Sequence, residues 1–133
     1  MIEHVREYFQ LDRVNTDEMY HKWMKNDANF ASKCPHVPGL RVLRIDPVEC
    51  LFSFILSSCC NVKRITHMVK RVCETLGVLR SSIHDFPTIE ALASPSAREI
   101  LDGLKLGYRS KYIHETAKML MNLGGRASLV EMT

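Results

Sequence analysis

No stretch of this chain is long and apolar enough to cross a bilayer: the longest apolar block, Cys50 to Leu56, falls far short of the ~20 residues a spanning helix needs. Residues 1–10 are charged and lack the apolar core of a signal peptide. The five cysteines (Cys34, Cys50, Cys59, Cys60 and Cys73) contain no C-x-x-C pair, and their odd count and apolar settings point to reduced thiols inside a cell. Adjacent Cys59 and Cys60 cannot bridge each other without strain. Zinc wants four ligands in tight pairs, and Cys34-Pro35-His36 is the one close Cys/His couple, so no metal is expected. The histidines are scattered and give no His-based site. Repeats, low-complexity tracts and long linkers are also missing. What remains is a soluble intracellular protein with no metal, no cofactor and no membrane partner.

A chain of 133 residues fits one domain with a modest core, and its composition is ordinary for a globular protein rather than a disordered one. The net charge of +3 is unevenly spread. Residues 61–126 carry eleven Lys/Arg against six Asp/Glu, whereas residues 1–60 carry seven against eight. The second half is therefore the face for a polyanion, with a solvated surface as the plain alternative.

The periodicity is helical throughout. Residues 2–11 put Ile2, Val5, Tyr8 and Phe9 on one face. Thr16 is placed to cap a helix through Ser32 that carries Met19, Tyr20, Trp23, Met24 and Phe30. Pro35, Pro38 and Gly39 then break the pattern. Asp46-Pro47-Val48-Glu49 is a strong helix start, with an acceptor at the cap, proline at N1 and glutamate at N3. The helix that follows is apolar on nearly all sides and is expected to be buried centrally. Asn61 caps the next, which runs to Gly77 with Val62, Ile65, Met68, Val69, Val72, Cys73 and Leu76 inward. Lys63, Arg64, His67, Lys70 and Arg71 take its outer face. Thr88 and Ser94-Pro95 open two short helices, and Leu106-Gly107-Tyr108-Arg109 precedes a last one from about Ser110 to Leu123, stopped by Gly124-Gly125. The expected fold is all-α, one compact unit of six or seven helices.

The segments Val5–Asp12, Tyr20–Trp23, Leu43–Phe54, Arg64–Thr66 and Leu106–Arg109 together resemble the eukaryotic 8-oxoguanine DNA glycosylases, over about Glu3 to Leu129. The resemblance implies a helix-hairpin-helix glycosylase domain, of which residues 1–133 would be a single partial helical part. It also implies removal of 8-oxoguanine opposite cytosine and β-elimination at the abasic site, by a monomer in the nucleus or mitochondrion. Such enzymes extrude the base and fill the gap. By resemblance Tyr108 is the wedge beside the lesion, and Arg109 and Arg64 donate to the orphaned cytosine through planar forks. An aromatic and an arginine after Leu106-Gly107 are expected at an exposed helix start, free to reach outward. A surface loop is the alternative for Tyr108 and Arg109, and a solvated basic face for Arg64.

Where the family has a run of asparagines, whose first member by resemblance helps fill the vacated space and meets the orphaned cytosine, this chain reads Ser57-Ser58-Cys59-Cys60-Asn61, so only the last asparagine, Asn61, remains. A thiol is a poorer donor and acceptor than an amide, which should weaken discrimination by about 1–3 kcal/mol if a base contact is lost. Cys59 as a nucleophile lacks a paired base. Lys63, Lys70, Arg71, Lys105, Lys111 and Lys118 could neutralise phosphates, or simply keep the surface solvated. The family's Schiff-base lysine and supporting aspartate are expected beyond Thr133, and its N-terminal β-rich domain almost wholly before Met1. Three readings follow: a partial glycosylase and lyase inactive alone, a catalytically silent DNA-binding module, or a helical interaction module whose uncovered apolar faces make it unstable.

Overall fold

The computed structural model describes residues 2–131. The all-α expectation holds, with nine α-helices among the described residues rather than seven at most. Two extra helices arise because the segment 16–33 breaks in the middle and because a further turn of helix follows Gly125. The chain also divides into two compact units, before and after the Ile45–Asp46 bond, where one was expected. No helix among the described residues is long and apolar enough to cross a membrane.

The first unit holds α1 (Ile2–Tyr8), α2 (Thr16–Asn26), α3 (Ala28–Lys33) and a 3-10 turn, Cys34–His36. Asn15, not Thr16, caps α2: its side-chain oxygen accepts from Asp17 N at 3.2 Å, and its side-chain amide donates to the Glu18 carboxylate at 2.8 Å. Asp27 is extended (φ −140°, ψ 109°), which ends α2, and it caps α3 by accepting from Asn29 N and Phe30 N at 2.8 and 3.0 Å. The break folds Phe30 back onto Tyr20 and Trp23, with ring centroids 5.6 and 5.7 Å apart. Arg41 then ties the following strand-like segment down by donating to the carbonyls of Gln10 and Val14. Among the described apolar side chains of this unit only Cys34 is buried, while Ile2, Leu40 and Val42 are left exposed.

The second unit has a real core. It comprises α4 (Pro47–Ser57), α5 (Val62–Leu76), a hairpin of β1 (Leu79–Arg80) and β2 (Ile83–His84), α6 (Ile89–Ala93), α7 (Ala97–Gly103), α8 (Arg109–Asn122) and α9 (Arg126–Glu131). Phe52 and Leu56 of α4, Met68 and Val72 of α5, Leu92 of α6, Leu101 of α7, and Ile113 and Ala117 of α8 form one cluster. Asp46 starts α4 as the sequence implies, accepting from Val48 N and Glu49 N at 2.9 and 3.2 Å. However, α4 is buried on one face only: Phe52 and Leu56 point in, whereas Phe54 is 71% exposed. Val62 likewise faces outward, because its place in the first turn precedes the stretch of α5 that meets the core.

Gly77 ends α5 for a reason other than helix-stop geometry. Its backbone is extended (φ −84°), and a Cβ there would lie 2.0 Å from the Asp85 carbonyl oxygen. The close return of the hairpin, unforeseen in the sequence, demands the missing side chain. Gly124-Gly125 does stop α8 by left-handed geometry, with φ of +102° and +68°. Gly125 N donates to Leu120 O at 2.7 Å, the six-to-one bond of a Schellman motif.

Candidate nucleic-acid interface

The two longest helices of the second unit begin beside one another, α5 after Asn61 and α8 after Tyr108. Between α4 and α5 the chain makes a four-residue turn. Cys60 N donates to Ser57 O at 3.1 Å, Ser58 has φ −54° and ψ 125°, and Cys59 has φ +51°. These are the dihedrals of a type II turn, whose third residue is glycine or asparagine by preference because φ is positive there. Asn61 then caps α5, its side-chain oxygen accepting from Arg64 N at 2.9 Å. On the other side, buried Leu106 anchors the approach to α8, and Gly107 (φ +67°) turns the chain just ahead of Tyr108 and Arg109.

Tyr108 is half exposed, as the sequence reading requires. Its hydroxyl lies 3.2 Å from Ser58 Oγ, Tyr112 meets its ring edge-on at 5.7 Å, and the Arg109 guanidinium sits over its face at 4.5 Å. The ring is thus held on three sides with its remaining face open. A cation over a ring at that distance contributes about 0.5–1 kcal/mol.

Arg109 corrects the expectation of an outward-reaching donor. It is only 5% exposed. Its Nη2 donates to the Ser58 carbonyl and to Cys60 Sγ (3.1 Å), and its Nη1 donates to Leu106 O at 3.2 Å. Its Nε has no hydrogen-bond partner among the described residues. The side chain is a clasp joining the turn to the start of α8. The reason lies in the facing turn, which leaves carbonyls with no helical partner that a guanidinium at the start of α8 reaches.

The other nominated residues sort cleanly. Lys63 and Arg64 are exposed on the first turn of α5, and Cys59 and Asn61 are exposed on the turn before it. Asn61 is engaged as a cap, so its carbonyl oxygen is already in use. Among the candidate phosphate ligands, Lys105, Lys111 and Lys118 are exposed. Arg71 is instead turned onto Leu104 O at 3.0 Å, and Lys70 lies 3.6 Å from Glu74. Sequence reasoning missed Ser58, Cys60 and Tyr112 as parts of this cluster. Tyr112 had a signal, since it lies one helical turn after Tyr108; Ser58 and Cys60 had none.

Two helix N-termini, Lys63, Arg64 and Lys111 make this corner attractive to an anion. A cavity of about 430 Å³ elsewhere in the unit has the opposite character: Asp46, Glu49, Asp85 and Glu90 line it against Arg126, which pairs with Asp46. Among the described residues no group of three or more His, Cys, Asp or Glu is placed to hold a metal.

The description "8-oxoguanine DNA glycosylase, N-terminal domain" matches residues 1–51, and "HhH-GPD superfamily base excision DNA repair protein" matches residues 52–131. The chain is 39% identical to an N-glycosylase/DNA lyase of Saccharomyces cerevisiae over 98% of its length, and to 35% of that protein's. It is 38% identical to the N-glycosylase/DNA lyase OGG1 of Arabidopsis thaliana over 83% of its length, and to 32% of that protein's. It therefore spans about a third of these relatives. The structure resembles the Clostridium acetobutylicum 8-oxoguanine glycosylase/lyase in complex with dsDNA containing cytosine opposite to 8-oxoG, with TM-score 0.77 and 25% identity, over 96% of this chain and 44% of that one. The apo-form of that enzyme gives 0.75 and 27%, over 88% and 41%.

Proposed function

This chain belongs to the 8-oxoguanine DNA glycosylases, within the HhH-GPD superfamily of base-excision repair proteins, and from that membership we propose that it engages duplex DNA carrying 8-oxoguanine opposite cytosine through the turn 58–61 and the starts of α5 and α8. Tyr108 enters the stack beside the lesion, Arg64 offers its fork to the orphaned cytosine, and Lys63 and Lys111 neutralise flanking phosphates. Arg109 serves first as the clasp that holds Tyr108 and the turn, and reaches a base only by leaving the Ser58 carbonyl.

The observation that carries this reading is the bracing of Tyr108. A half-exposed tyrosine held by Ser58, Arg109 and Tyr112 is pre-organised, and so loses little rotamer freedom on entering a base stack. Base stacking on an aromatic ring is worth about 1–3 kcal/mol. The chemical steps of the family are a separate matter. A lysine that forms a Schiff base works desolvated or beside another cation, and every lysine among the described residues is solvent-exposed. These residues are accordingly assigned recognition, acting as a monomer on nuclear DNA, rather than the lyase step.

Fluorescence anisotropy with an 8-oxoguanine:cytosine duplex tests the proposal. Binding should weaken steeply with salt, and Tyr108→Ala should weaken it roughly thirtyfold, at the middle of the stacking range. Undiminished binding by a Tyr108→Ala/Arg64→Ala chain would overturn the assignment. Borohydride trapping on the same duplex should give no covalent adduct; an adduct would move the chemistry onto one of these lysines.

A further inference from the structure

Cys59 and Cys60 stand at the third and fourth positions of the turn, and the recognition argued above assigns their thiols no contact with DNA. Both are free thiols, Cys59 exposed and Cys60 half-buried. Consecutive Cα atoms lie ~3.8 Å apart, short of the ~4.4–6.8 Å that disulfides usually span. A direct S–S bond between them is therefore strained, and the pair resists closing on itself. A larger soft atom bound to both sulfurs meets no such limit, because it adds a member to the ring and lets the sulfurs stand further apart. Adjacency in the chain tethers the second thiol to the first, so a reagent held by one is presented to the other at high effective concentration.

The surroundings set this pair apart from the other cysteines. Cys60 Sγ already accepts from Arg109 Nη2 at 3.1 Å, so its lone pairs face a fixed cation beside the start of α5. Cys59, the residue before it, is exposed. Cys34, by contrast, is buried, and the Cys73 thiol is pushed up by burial and by the neighbouring Glu49 carboxylate, which keeps it protonated and slow to react.

We propose that Cys59 and Cys60 form a vicinal dithiol site that captures monosubstituted trivalent arsenicals. With phenylarsine oxide as reagent, two S–H bonds and the As–O bond break and two As–S bonds form. The oxygen leaves as water with both thiol protons, and arsenic stays trivalent, so no oxidant or reductant is needed. Capture engages the sulfur lone pair that Arg109 Nη2 now uses. This chemistry is independent of whether the chain binds DNA.

The test is mass spectrometry of the reduced chain treated with one equivalent of phenylarsine oxide, followed by peptide mapping. The expected result is one arsenical per chain on the peptide containing both cysteines, stable to excess monothiol and removed by a 1,2-dithiol. Cys59→Ser and Cys60→Ser should each abolish the monothiol-resistant adduct, whereas a Cys34→Ala/Cys50→Ala/Cys73→Ala chain should keep it. An adduct mapped to any other cysteines, loss to monothiol, or retention in either serine variant would overturn the proposal. Mapping on the unsubstituted chain decides the matter even where a variant folds poorly.

Discussion

Cys59 occupies a backbone conformation that its side chain does not favour, and substitution there measures how well the turn is understood. With φ +51° it lies in the left-handed region, where an ordinary L-residue loses roughly 1–2 kcal/mol relative to the right-handed one. Asparagine tolerates that region better than other non-glycine residues. Among the described residues the exposed thiol has no hydrogen-bond partner, so its removal costs the fold little. Cys59→Asn should therefore recover about half of the penalty, about 0.5–1 kcal/mol. For a unit of this size that is a rise of about 2–8 °C in Tm. Cys59→Gly should also avoid the Cβ clash but lose part of the gain to a freer unfolded chain, and Cys59→Val should lower Tm. Calorimetry or circular dichroism of the four chains checks the series. A fall in Tm for Cys59→Asn, or no difference between asparagine and valine, would refute the turn geometry and with it the placing of the residues around Tyr108.

Three further expectations follow from single features. Gly77→Ala puts a methyl 2.0 Å from the Asp85 carbonyl oxygen, so the hairpin must move; denaturant unfolding should show a loss well above ~1 kcal/mol. Phe52→Ala removes a fully buried ring that stacks on Phe86 at 6.3 Å, and should cost about 3–5 kcal/mol by the same measurement. The Arg98 hydrogen bond holds the Asp102 carboxyl below its ordinary value. Its contribution is then present above the usual aspartate range and is lost as pH falls through the lowered value. An NMR titration should find Asp102 titrating low, and Arg98→Ala should raise it toward the ordinary value.

Much of the second unit was legible in the sequence because its signals are local. Asp46-Pro47, Asn61 and Thr88 each cap the helix they precede, accepting from the first free N–H groups. The heptad-like spacing of α5 correctly put Met68 and Val72 inside. What escaped were features set by distant chain. The hairpin 79–84 is too short to leave a periodic signal, and the break at Asp27 looks like an ordinary helical aspartate until Phe30 is seen to fold back on Trp23. Exposure of Phe54 was missed because an apolar run carries no mark of which face has a partner.

The candidate site was legible in part. Tyr108, Lys63 and Arg64 lie exposed as their sequence positions imply. Arg109 does not, because the carbonyls that draw it inward belong to a turn fifty residues away. Motif resemblance names a residue without saying which conformation the free protein holds, and for a long, charged side chain the nearest unsatisfied acceptors decide that.

The most direct test of the interface is the map of backbone amide shifts when a duplex with 8-oxoguanine opposite cytosine is titrated into the labelled chain. The account predicts shifts concentrated at residues 58–64 and 107–112, including the Arg109 side-chain signals as the clasp loosens. Shifts confined to the acid-lined cleft around Asp46 and Glu90, or to residues 2–45, would contradict it.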